Sequence, residues 1–244
     1  KIEKKEGIQL DDLQKKAVRL SAQSGLVVIT GGPGTGKTTT INTIIKYFEE
    51  MDSEILLAAP TGRAAKRITE ATGYGAQTVH RMLELNGQAD GSSGYKFERN
   101  SENPLEADVI IIDEVSMVDM NLLHGLLQAV MPGTHLILVG DDNQLPSVGP
   151  GNVLKDIIRS KRFTVCALNK IYRQEEGSDI VINAHKINNG EHFVMNNKSK
   201  DFFYMPRMNV RAVQEEVGVL LSRKLPGYVE CATSEIQVLT PMRK

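Results

Sequence analysis

The chain has 244 residues, 41% hydrophobic and 24% charged, an ordinary balance for a globular protein that buries a sizeable core as one large domain or two smaller ones. Its 29 Lys and Arg against 30 Asp and Glu give a net charge of -1, so no global attraction draws it to a polyanion and any nucleic-acid contact must be local. Cys166 and Cys231 stand far apart with no His or Cys at ligand spacing, which argues against a zinc site and points to a reducing, cytoplasmic setting. No apolar run approaches the ~20 residues of a membrane span, and no signal core follows the Lys-rich start, so no membrane role is expected. The opening on Lys1 and the close just after an apolar run lead us to expect a piece of a longer protein.

In chain order, short aliphatic runs at 26–29, 55–59, 109–112, 136–139 and 163–168 are separated by segments long enough for helices. That alternation predicts an α/β fold with a mostly parallel sheet flanked by crossover helices. Ile41, Ile44, Ile45 and Phe48, and later Leu122, Leu123, Leu126 and Leu127, recur at helical spacing and predict helices that cover the sheet. The polar, glycine-rich stretch 86–104 reads as an excursion, a loop or small hairpin. Beyond Arg173 the pattern changes to a helix at 179–187, an aromatic run at 202–204, a helix at 210–221 and a strand-like 236–239, which could begin a second α/β domain. The expected division is therefore 1–173 and 174–244.

The run at 26–29 leads into Gly31, Gly32, Pro33, Gly34, Thr35, Gly36, Lys37 and Thr38, a full match to G-x-x-x-x-G-K-[ST] between a strand and a helix. Glycines let backbone N–H groups close around phosphate oxygens, and the helix N-terminus favours their charge. Lys37 is expected to reach the β and γ phosphates, Thr38 to offer its hydroxyl to Mg²⁺, and Thr39 to complete the nucleotide-binding set with ATP as cofactor. Four aliphatics at 109–112 end in Asp113 and Glu114, where a buried parallel strand points at ligand. Asp113 is expected to hold Mg²⁺ through water, and Glu114 to orient or deprotonate the attacking water.

A further strand runs into Gly140, Asp141, Asp142, Asn143, Gln144, Leu145, Pro146, Ser147, Val148, Gly149, Pro150 and Gly151. With Ile112-Asp113-Glu114-Val115-Ser116-Met117-Val118-Asp119, this segment resembles motif III and its neighbour in the RecD branch of superfamily 1 helicases. The resemblance implies a RecA-like P-loop domain in which Gln144 senses the γ-phosphate and couples it to DNA. Pro60, Thr61, Gly62 and Arg63 stand in a segment that resembles motif Ia, which grips single-stranded DNA. Thr61 and free N–H groups at a helix start suit phosphate, and Arg63, Lys66 and Arg67 share i, i+3, i+4 spacing; a solvated basic helix face is the competing reading. Thr78 and His80 match the next DNA motif. Arg173 matches the arginine of motif IV, whose permanent, planar charge suits the γ-phosphate.

Two readings stand side by side for Gln14. It matches the final glutamine of the family's Q motif, which reads adenine, and it sits three residues after Asp11, the spacing of a helix capping box. The resemblance also implies that the excursion at 86–104 is a small β-hairpin that serves as a strand-separating pin. The later helicase motifs, including a second arginine, do not occur before Lys244. The function implied is an ATP-dependent DNA helicase that moves 5′ to 3′ on single-stranded DNA in recombination and repair, with RecB-like and RecC-like partners or with none. A small-molecule P-loop phosphotransferase and a non-hydrolysing, nucleotide-regulated assembly subunit are the alternatives.

Overall fold

Val109, Ile110, Ile111 and Ile112 are buried along their whole length, as expected for a strand with packed layers on both faces. A computed structural model of the chain describes residues 2–86, 96–170 and 178–240. It divides into two units, Lys1–Gly177 and Ser178–Lys244.

The first unit is built on β1 (Leu26–Thr30), β2 (Ile55–Ala59), β3 (Ala76–Thr78), β4 (Val109–Ile112), β5 (His135–Gly140) and β6 (Thr164–Ala167), in the sheet order β3-β2-β4-β5-β1-β6. Every pairing is parallel. The five aliphatic runs thus become strands, and the expected α/β class is the one observed. The sixth strand, β3, has only Ala76, Gln77 and Thr78, all half-buried at the sheet edge, too short and polar to stand out in sequence.

Alternation along the strands divides the core. Val27, Ile29, Leu57, Ile111, Ile137 and Val139 pack on one face with Ala17 of α2 (Asp12–Gln23), Ile41, Ile44, Ile45 and Phe48 of α3 (Lys37–Glu49), and Ile68 of α4 (Gly62–Thr72). Here α1 is the short helix Ile2–Glu6. On the other face Val28, Ala58, Ile110, Ile112 and Leu138 meet α5 (Val79–Met82), Leu122, Leu123 and Leu126 of α6 (Met120–Ala129), and Val153 and Leu154 of α7 (Val153–Ser160). Leu127, expected on the buried face of α6, is instead 46% exposed, because residues 122, 123 and 126 already fill the arc that faces the sheet.

The flanks of the polar excursion pair antiparallel. Leu85 bridges Phe97, Asn86 N–H donates to the Lys96 carbonyl, and Glu98 N–H donates to that of Glu84. Of the excursion expected as a pin, 86–104, residues 87–95 lie outside the described residues.

The second unit contains α8 (Asp179–Asn188), α9 (Val210–Val219), a π-helical turn at Leu220–Lys224 and α10 (Leu225–Tyr228). Both expected helices form, but the strand expected at 236–239 does not. A strand needs a neighbour for its ladder, and the described residues of this unit offer none. Asn183 is the only buried side chain among them.

Candidate functional site

The phosphate loop follows β1 directly. Gly34 and Gly36 hold φ of 71° and 78°, left-handed values that a side chain would strain, and Gly36 is the N-cap of α3. A Cβ at Gly31 would fall 2.5 Å from Thr35 Oγ1 and 2.6 Å from the Leu168 carbonyl, so the backbone passes where only glycine fits. Thr35 Oγ1 donates to the Gly32 carbonyl at 2.8 Å, closing the turn. Lys37 Nζ donates to the carbonyls of Gly31 at 2.6 Å and Gly32 at 2.9 Å, which fixes its ammonium over the loop. Pro33, Gly34, Thr35, Gly36, Lys37, Thr38 and Thr39 form one wall of a cavity of about 650 Å³.

Ile8, Gln9 and Gln14 also line that cavity. Ile8 and Gln9 were assigned no role from sequence, since the resemblance marks only the final glutamine of the Q motif, Gln14. Gln14, 2% exposed, does form the capping box: its N–H donates to Asp11 Oδ1 at 2.7 Å, and its Oε1 accepts from Asp11 N–H at 3.1 Å. Its Nε2 lies 3.4 Å from the Gly36 carbonyl, tying α2 to the phosphate loop.

Asp113 extends the β4 ladder by one bond, its N–H donating to the Ala58 carbonyl at 2.9 Å, and is 3% exposed. Burial, with the Glu114 carboxylate beside it, raises its pKa from 3.8 to about 6, against smaller opposing effects from Arg67 and Lys37. Glu114 has left-handed backbone angles, φ 54° and ψ 41°, which cost a non-glycine residue about 1–3 kcal/mol and collect at functional positions. Its Oε1 accepts from Arg67 Nη2 at 3.1 Å. The basic residues of α4 therefore part company: Lys66 pairs with Glu70 at 3.8 Å, Arg63 is exposed, and Arg67 lines the cavity. Sequence spacing placed Arg67 with the DNA-facing residues; a long side chain reaching the end of β4 overrides that grouping.

A second groove, about 280 Å³, gathers residues that follow four different strands: Pro60 and Thr61 after β2, His80 after β3, Met117 and Asp119 after β4, and residues 146–149 after β5. Thr61 caps α4, its Oγ1 accepting from Ala64 N–H at 3.2 Å, while Gly62 and Arg63 stand exposed in the first turn. Thr78 is not part of this lining; its Oγ1 caps α5, accepting from Arg81 N–H at 3.1 Å. The His80 ring lies 6.2 Å from that of Phe97. Gln144 is exposed in the segment after β5 and its Oε1 accepts from Ser116 Oγ at 3.2 Å, joining the β5 loop to the turn after Glu114. Gly149 lies so close to Asp119 that a Cβ would overlap its carboxylate. Arg173 lies outside the described residues. Among the described residues no helix is long and apolar enough to cross a membrane, and no cluster of three or more His, Cys, Asp or Glu could hold a metal ion.

Comparison with known proteins accords with this arrangement. The chain is 37% identical over 96% of its length to the "ATP-dependent RecD2 DNA helicase" of Deinococcus radiodurans. It is 41% identical over 59% of its length to the "RecBCD enzyme subunit RecD" of Mycolicibacterium smegmatis. It spans 30% of the length of each of these relatives. Among solved structures, the Pif1 helicase of Candida albicans superposes with a TM-score of 0.56 at 23% identity, covering 90% of this chain and 55% of that one. A Bacteroides Pif1 bound to ssDNA gives a TM-score of 0.53 at 24% identity, covering 87% of this chain and 56% of that one. At such identities these structures speak for the fold alone, which is the parallel α/β architecture described above. The family model described as "AAA domain" matches residues 14–150, more than half of the chain and a span that includes Gln14, the phosphate loop, Asp113, Glu114 and Gln144, so the chain belongs to the AAA domain family.

Proposed function

We propose that the chain is the ATP-hydrolysing, DNA-gripping part of a RecD-like helicase that moves along single-stranded DNA, 5′ to 3′ by resemblance. The observation that carries this reading is the groove in which Pro60, Thr61, His80 and residues 146–149 converge from separate segments. A small-molecule phosphotransferase has no use for such a groove beside its nucleotide pocket. Thr61, Gly62 and Arg63 present a helix N-terminus and a cation, groups that suit backbone phosphate and carry no base preference. Thr78 would add a contact from the neighbouring turn.

In the nucleotide pocket, the loop N–H groups and Lys37 bind phosphate, and Gln14 contacts adenine while it completes the capping box with Asp11 at the start of α2. Mg²⁺ fits the donors present, the Thr38 hydroxyl and the buried Asp113 carboxylate, since this ion takes few protein ligands and shares the rest with phosphate and water. When bound, the ion neutralises charge on the β and γ oxygens. Glu114 orients water, and Gln144 and Arg173 sense the γ-phosphate, Gln144 through the same segment that lines the groove. Residues 174–244 read as the start of a second RecA-like domain; the near-absence of buried side chains among those described in Ser178–Lys244 supports a piece whose packing partners lie elsewhere.

The test is steady-state ATP hydrolysis by the full-length protein with and without single-stranded DNA. A several-fold rise on adding DNA is expected of the motor. An unchanged rate would favour the phosphotransferase or the assembly subunit.

A further inference from the structure

Helix α4 joins the two sites. Thr61, its N-cap, lines the groove, whereas Arg67, in its second turn, lines the nucleotide cavity and donates to Glu114 Oε1 at 3.1 Å. Six residues of α-helix advance about 9 Å, so a displacement at one end is delivered to the other by a single element. The inner face of that element is anchored by burial. Ala65 and Ile68 are buried at 4% and 1% exposure, and Thr69 and Thr72 Oγ1 donate to the carbonyls of Ala65 and Ile68.

Glu114 is tied to the groove from its other side as well. The turn Val115–Met117 follows it directly, Met117 lines the groove, and Ser116 Oγ donates to Gln144. A carboxylate engaged by a guanidinium has an oxygen occupied, which opposes its orienting a water molecule. The Arg67 side chain is 65% exposed against 12% for Glu114. An ion pair with one partner so exposed is weak, which suits a contact that is released in each cycle.

We propose that Arg67 is a positioning residue that holds Glu114 off the attacking water until a backbone phosphate of single-stranded DNA engages the N-terminus of α4, making hydrolysis depend on DNA. The proposal rests on the reading of Glu114 as the water-orienting group and of the groove as the DNA site. Arg67 is solvent-facing, so its replacement should leave the fold intact.

The experiment compares full-length parental protein, Arg67→Ala, Arg67→Lys, Glu114→Gln and the double variant Arg67→Ala/Glu114→Gln, measuring kcat and KM for ATP with and without single-stranded DNA. Arg67→Ala should hydrolyse ATP several-fold faster than the parent without DNA, at an unchanged KM, with its stimulation ratio falling toward about one. Arg67→Lys should restore part of the restraint, and the double variant should be as inactive as Glu114→Gln. A DNA-free rate at or below the parental value, or a raised KM with lowered kcat, would overturn the proposal and make Arg67 a plain nucleotide contact. So would a double variant that kept the raised rate. Two outcomes strike the underlying reading instead and take the proposal with it: Glu114→Gln at the parental rate, or a parental enzyme indifferent to DNA.

Discussion

Asp113 closes a strand buried on both faces, and its carboxylate has lost most of the water that would stabilise its charge. With its pKa raised from 3.8 to about 6, the folded chain holds this proton more tightly than the unfolded chain does. The favourable contribution is fully present below about pH 4 and is lost as pH rises to about 6, above which the ionised group opposes folding. We expect Asp113→Asn to stabilise the chain at pH 7 by about 1–3 kcal/mol, and the gain to shrink at pH 4.5, where the native carboxyl is already protonated. Thermal denaturation in metal-free buffer at both pH values measures this, and a lower melting temperature for the variant at pH 7 would contradict it. The burial that destabilises the fold is the same burial that would keep this carboxylate clear of bulk water in the Mg²⁺-binding role proposed for it.

At the scale of elements, α6 is the platform on which the base of the excursion rests. The Phe97 ring packs against Gly125 so closely that a Cβ there would overlap the ring edge, and the same ring lies 6.2 Å from that of His80. One aromatic side chain thus joins the excursion, the groove and the helix. Gly125→Ala sets two effects against each other: a helix-propensity gain of about 1 kcal/mol and an overpacking penalty of about 1–3 kcal/mol. The clash should win, leaving the variant less stable by on the order of 1 kcal/mol. In a Phe97→Leu background the ring edge is gone, and the same alanine should be neutral or stabilising. Urea denaturation of the four proteins in this cycle measures the coupling, and equal effects in both backgrounds would show that the ring does not rest on Gly125.

For the whole molecule, the groups assigned to hold a nucleotide lie between Gln14 and Asp113, within the first unit, whereas the charge that develops during hydrolysis calls for arginines. The resemblance assigns one to Arg173 and another to motifs that residues 1–244 do not contain. An arginine in that position is worth about 10³–10⁵ in rate. This 244-residue chain should therefore bind Mg²⁺ and ATP but hydrolyse far more slowly than the full-length protein. Isothermal titration and phosphate release measured side by side decide it; DNA-stimulated turnover near the full-length rate would refute the idea that further residues complete the site.

Much of the fold was legible because it rests on local chemistry. Five aliphatic runs declared the main strands, a glycine-rich turn between strand and helix declared the phosphate loop, and Asp113-Glu114 at a strand end declared the acidic pair. Each is a signal carried by residues adjacent in sequence, where backbone geometry leaves few alternatives. The edge strand β3 was not legible, since three half-buried residues gain their strand conformation only from the ladder that β2 offers. The strand expected at 236–239 failed for the converse reason, apolar residues without a neighbour to pair with among those described. Arg67 was grouped by helical spacing with Arg63 and Lys66, and only packing of α4 beside the end of β4 could place its guanidinium on Glu114, 47 residues away. Contacts between distant segments depend on which strands become neighbours, so the sequence alone determined the parts of the phosphate-loop cavity, while the tertiary structure decided that one helix, α4, lines both that cavity and the groove.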